Sequence, residues 1–185
     1  LTPFPPTTMQ STTAQPARPA AGQALRRQVG PWDWVRGAFG GFVGSVAFGL
    51  FMAFIMPPPM LEVVIPNLYG IGATPENPAP LAGWAFHQFH GVMLGIAYVA
   101  YVEYPSVADW MEPRSLQGGL VHGLTWGVVT TIAFPILVMP LWLQAAGFAG
   151  APPFPNVGFP ATLLGLTGHV IYAVPVGILY ALYRR

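Results

Sequence analysis

Two histidines, His87 and His90, sit in "GWAFHQFHGVMLGIAYVAYV" (83–102), a run that is otherwise mostly apolar. His169 lies in a second apolar run and His122 in a third. An imidazole there can hydrogen-bond to a neighbouring helix, ligate haem iron, or carry a proton. Aligning the second and fourth apolar runs sets His87 against His169, each roughly 9 Å below its outer end at ~1.5 Å per residue. His90 is one turn deeper on nearly the same face, and Tyr172 stands where a partner for it would be. His122 lies near the other end of its run and belongs to a different layer. Three readings stay open. The imidazoles can be structural and need no cofactor, each hydrogen bond contributing roughly 1 kcal/mol in a membrane. His87 and His169 can be axial ligands of haem b. His87 or His90 can handle a quinone or a proton, since an intramembrane ionisable group is a candidate site.

Other chemistry is excluded by what is missing. There are no cysteines, so disulfides, thiolate metal sites and cysteine nucleophiles are out. The apolar runs contain no Asp, Glu, Lys or Arg, which leaves no carboxylate pair for a metal. Glu62 and Glu76 fall in a connecting loop. Neither a Ser-His-Asp spacing nor a phosphate-cradling glycine loop is present. A net charge of +1 gives no basic face for nucleic acid. The expectation is a protein with no catalytic residues of its own.

The elements that must hold these histidines follow from composition. Of 185 residues, 54% are hydrophobic and 7% charged, and the mean hydropathy is +0.53. So few charges cannot cover a soluble surface, and lipid must be much of the solvent. Four spans are expected, at about 37–56, 81–102, 118–143 and 160–183, each long enough to cross ~30 Å of hydrocarbon as a helix. Pro135, Pro140 and Pro175 should kink the last two. Residues 1–36 read as an extended low-complexity tail, rich in Pro, Thr, Gln and Ala, without the apolar core of a signal peptide. Arg18, Arg26, Arg27 and Arg36 precede span one, Arg114 lies between spans two and three, and Arg184 and Arg185 follow span four. The other two loops have no basic residue, so both termini are expected to be cytoplasmic in a multi-pass protein of a bacterial inner membrane. Trp32, Trp34, Tyr104, Trp110, Trp142 and Tyr183 fall near the expected interfaces.

The chain also reads as a duplication. At one constant offset Leu81 meets Leu163, Gly83 meets Gly165, His87 meets His169, Gly95 meets Gly177 and Tyr98 meets Tyr180. At another, Gly41 meets Gly119, Gly49 meets Gly127 and Pro57 meets Pro135. Two tandem two-helix units of like orientation imply a pseudo-two-fold axis along the membrane normal. Small residues recur every fourth position, giving seams through Gly41 and Gly49, through Gly91 and Gly95, through Gly119, Gly123 and Gly127, and through Gly165 and Gly177. Such seams let helix backbones approach closely. The expected architecture is an all-α, integral membrane four-helix bundle over 37–185.

A glycine-rich first span followed by a "G…H…G" second span resembles a family of small uncharacterised prokaryotic four-helix membrane proteins, over about Gly37–Tyr183. The chain also looks like the small accessory subunits of bacterial respiratory assemblies such as alternative complex III. That resemblance implies a non-catalytic subunit that stabilises a quinol-oxidising or photosynthetic complex, with other integral membrane subunits and lipids as partners. The alternative is a membrane redox protein binding haem b or quinone through His87 and His169.

Overall fold

The computed structural model describes residues 29–56 and 60–183, and within them the secondary structure is helical, with no strand. Most of the expected tail, residues 1–28, lies outside the described residues, as do Pro57 and the two terminal arginines.

Helix α1 spans Pro31–Phe54. Residues 31–36, expected within the tail, are its first turns, because the start signal is one of capping rather than hydropathy. Pro31 takes a position whose N–H would be unbonded anyway. The Asp33 carboxylate accepts from the Gly30 N–H at 2.8 Å and pairs with Arg36 at 3.2 Å. A short element, α2, follows as a π turn at Met60–Val64 running into an α turn at Ile65–Asn67. The buried Asn67 amide donates to the carbonyls of Val63 (2.8 Å) and Ala73 (2.7 Å), closing the chain back on itself. Gly70 and Gly72 make the turn with φ of 71° and 67°, the left-handed region that a side chain disfavours. Part of the connecting loop that holds Glu62 is thus a packed helical turn.

Helix α3 covers Pro80–Val102, and α4 is a single turn at Pro105–Ala108. Helix α5 runs over Leu116–Ala145. Ser115 caps it, its hydroxyl oxygen accepting from the Gly118 N–H at 2.9 Å. Pro135 has no N–H to give, and the helix widens to a π segment at Ile132–Val138. Asn156 bonds carbonyls there, through its backbone N–H to Ile136 (3.0 Å) and its side chain to Pro135 (3.3 Å). Helix α6 spans Ala161–Tyr183.

Three of the four long helices, α1, α5 and α6, are long and apolar enough to cross a membrane. Helix α3 has 23 residues, but His87, Gln88 and His90 lower its mean hydropathy. The helices pack in the order α3, α1, α6, α5. Glycine sets each contact. A Cβ on Gly37 would stand 2.5 Å from the Gly95 carbonyl oxygen, and Gly41 and Gly91 meet as closely. Between α5 and α6 a Cβ on Gly119 would lie 2.6 Å from the Gly177 carbonyl oxygen, and one on Gly123 2.8 Å from that of Ala173. A third seam joins α1 to α6, where Gly40 faces Val176 and Gly44 faces Tyr172. Lipid provides little hydrophobic drive for helix association, so this closeness is what dispersion and backbone contact require.

The ends of the molecule differ. At one, the Glu103 carboxylate accepts from the Arg114 guanidinium (3.3 Å) and the Tyr180 hydroxyl (2.7 Å). Beside it Tyr101 stacks on Trp126 (5.0 Å), and Tyr98 meets Trp126 and Tyr180 edge-on. These rings join α3 to α5 and α6. At the other end the space between α3 and α5 opens into a cavity.

Candidate ligand cavity at the histidine end

His87, His90 and His169 all line this cavity, which has a volume of about 290 Å³. It is set between α1, α3, α5 and α6, with α2 and Tyr69 at its mouth. Among the described residues no Asp, Glu, Lys or Arg is in its wall. The remainder is apolar, and five of the chain's seven methionines contribute. Thioethers on flexible stems adapt to an irregular guest and favour aromatic contacts.

Each histidine is held differently. His87 is buried on the α3 seam facing α1, and its Nε2–H donates to the Ser45 carbonyl at 2.9 Å. The bond is available because the small residues of the α1–α3 seam bring Ser45 against Gly91. The Ser45 hydroxyl also bonds the Gln88 side chain. His169 donates from Nδ1 to the Gly165 carbonyl of its own helix at 2.8 Å. His90 shares a 2.5 Å hydrogen bond with the Tyr69 hydroxyl. The Tyr69 ring stacks flat on Phe86 at 3.8 Å, and burial raises the tyrosine above its ordinary pKa, so the phenol stays protonated. Trp142 of α5 donates to the Leu68 carbonyl at 2.7 Å. These contacts hang the α2 turn between α3 and α5 like a cover.

His87 and His169 come to the same level: the Phe48 ring touches both, with centroids 5.4 Å and 5.0 Å away. Gly168 allows this, since a Cβ there would run into that ring. The placement bears on the haem reading. A macrocycle held between the imidazoles would need the space Phe48 fills. The residues present do not fit such a group without moving. Among the described residues no cluster of three or more His, Asp or Glu is placed to hold a metal ion. His122 is fully buried at the opposite end, where its Nε2–H donates to the Met111 carbonyl at 2.8 Å.

Of the seam glycines expected from spacing, Gly41, Gly91, Gly95, Gly119, Gly123, Gly127 and Gly177 lie at helix contacts. Gly49 lies against Trp84 and His87. Gly165 is different: a Cβ there would sit 3.6 Å from Pro135, an ordinary contact on the cavity wall. Spacing did not single out Phe48, Tyr69, Gly40, Gly44 or Gly168. The two glycines Gly40 and Gly44 repeat at four and could have been read as a second seam on α1. Phe48 and Tyr69 carry no comparable signal. No protein family, curated protein or solved structure matches the chain.

Proposed function

We propose that this is a four-span protein of the bacterial inner membrane that binds quinone-pool molecules and serves, without catalytic residues of its own, as a subunit of a respiratory or photosynthetic electron-transfer assembly. The observation that carries the reading is the cavity: three hydrogen-bonding imidazoles in a wall that is otherwise mostly apolar and has no charged side chain among the described residues. A quinone is an apolar ring with polar atoms at two ends and no charge. Its binding calls for this mixture, whereas a phosphate or carboxylate ligand would call for a cation. The volume is about twice that of a ~150 Å³ apolar cavity known to take benzene.

Several features support the membrane part. Helix α3 packs along α1 from Gly37 against Gly95 to Gly49 against His87, so it crosses wherever α1 crosses. Arg36 and Arg114 sit toward the Glu103 end, which makes that end cytoplasmic by the positive-inside rule. Matched contacts support the duplication. Gly41 against Gly95 corresponds to Gly119 against Gly177, and Ser45 against Gly91 to Gly123 against Ala173. Gly49 against His87 corresponds to Gly127 against His169. Large apolar side chains such as Phe39, Phe42 and Phe54 of α1 and Leu120 and Leu124 of α5 are exposed, and they face lipid or the neighbouring subunits.

The test is a titration of the purified protein in nanodiscs with a short-chain quinone and its quinol. Trp142 lines the cavity and Trp84 lies 6.4 Å from His87, so both report on it by fluorescence. Saturable quenching by either form, weakened in Met139→Trp, is expected. Absence of saturable binding of both forms would sink the reading.

A further inference from the structure

We infer that the cavity selects the reduced, dihydroxy form of its ring, because the two histidine nitrogens left open to it are hydrogen-bond acceptors. The inference rests on the quinone-binding reading above. His87 bonds the Ser45 carbonyl through Nε2, and His169 bonds the Gly165 carbonyl through Nδ1. A carbonyl oxygen can only accept, so in both pairs the histidine is the donor. Among the described residues no carboxylate lines the cavity to pair with an imidazolium, and an unpaired charge in apolar surroundings is costly. Each ring is therefore neutral and has spent its one N–H on the backbone. His87 Nδ1 and His169 Nε2 are left as lone pairs.

Both residues line the cavity, and neither atom is among the fully buried side-chain atoms without a partner. Among the described residues those are the Tyr98 hydroxyl, Arg114 Nε, His122 Nδ1 and Trp126 Nε1, all toward the Glu103 end. Other donors in the cavity wall are already used. Trp142 gives its N–H to Leu68, and the Tyr172 hydroxyl donates to the Gly91 carbonyl at 2.8 Å. The Tyr69–His90 pair keeps one spare proton whichever way its bond runs. A hydroxyl oxygen accepts that proton as readily as a carbonyl does, so the pair does not discriminate between redox forms.

The lone pairs do discriminate. A quinone presents carbonyl oxygens, and a carbonyl facing an imidazole lone pair is an acceptor against an acceptor. A quinol presents O–H donors at opposite ends of its ring. Contact of both imidazoles with Phe48 keeps the two acceptors within about one aromatic ring and its contacts of each other. A site of this kind holds the reduced member of the couple and raises the midpoint potential of the bound pair.

The experiment is an anaerobic titration of the full chain in nanodiscs with three probes: a short-chain quinol, the matching quinone, and the quinol dimethyl ether, which keeps the shape but has no donor. The quinol is expected to bind at least tenfold more tightly than either, which for a two-electron couple is a shift of about 30 mV. His169→Phe should erase about tenfold of the preference. Its hydrogen bond is to its own helix, so this variant is expected to fold, as circular dichroism can check. Quinone bound as tightly as quinol, or ether bound as tightly as quinol, would overturn the inference while leaving quinone binding in place. Failure of all three probes to bind would overturn the functional reading itself.

Discussion

The Glu103 end and the histidine end are built from the same four long helices, yet one is locked and the other is hollow. At the Glu103 end large rings fill the gap between α3 and α5: Tyr98, Tyr101 and Trp126 touch across it, and Tyr98 and Tyr180 are fully buried. An ion pair and a phenol close it at the rim. At the histidine end the residues facing the gap are methionines, imidazoles and a proline-widened helix, and they leave about 290 Å³. The small-residue seams run along both ends, so the helix contacts alone do not account for the difference. What fills the space between α3 and α5, whose backbones do not pack on each other, does.

The sharpest way to break this contrast is to attack the seams both ends share. Gly177→Leu would drive a side chain into the Gly119 carbonyl and the Gly123 backbone, neither of which can yield. It should cost about 3 kcal/mol or more and abolish a monodisperse fold by size-exclusion chromatography. Phe48→Ala tests the wedge. It should destabilise by about 3 kcal/mol in thermal melts, yet widen the cavity and admit a bulkier quinol. A melt that falls without any gain in bulky-ligand binding would show that Phe48 does not limit the cavity. Glu103→Ala probes the locked end. It removes the carboxylate that the Arg114 guanidinium and the Tyr180 hydroxyl bond and should cost about 2 kcal/mol, the partial exposure of the arginine reducing the figure for a sealed pair. Quinol affinity should stay unchanged, since no cavity residue is touched.

Two smaller effects sharpen the comparison further. The Tyr98 hydroxyl is buried with no protein partner, so Tyr98→Phe removes a polar group that packing does not need. It should raise stability by up to about 1 kcal/mol, and a clear loss would mean that the hydroxyl has a partner. Gly165→Ala, on the hollow end, should be neutral within about 0.5 kcal/mol, because its new methyl would meet Pro135 at ordinary distance.

How much of this could be read in the chain varies with the kind of contact. Helix existence was legible, because apolar runs that lack charge are visible residue by residue. So were the small-residue seams on single helices, since spacing of four is a local signal, although it does not say which helices a seam joins. The start of α1 was missed because capping by Asp33 and Pro31 lies outside the apolar stretch. The α2 turn was missed because a single asparagine, bonding the Val63 and Ala73 carbonyls on either side of it, holds the turn without any periodic apolar pattern. The α1–α6 contact through Gly40 and Gly44 went unread because two faces of one helix carry glycine, and nothing local says that both are used.

By itself the sequence pointed to long apolar helices suited to a membrane, four where three of the described helices prove long and apolar enough, and to where glycine permits close approach. These are properties of single segments: length, composition and period. The tertiary structure alone decided that three histidines share a cavity, that Phe48 stands between two of them, and which imidazole nitrogen each leaves open. The physical reason is that an imidazole's role depends on what its other nitrogen touches. For His87 that is a carbonyl some forty residues away on another helix, brought within 2.9 Å only when the seams pack.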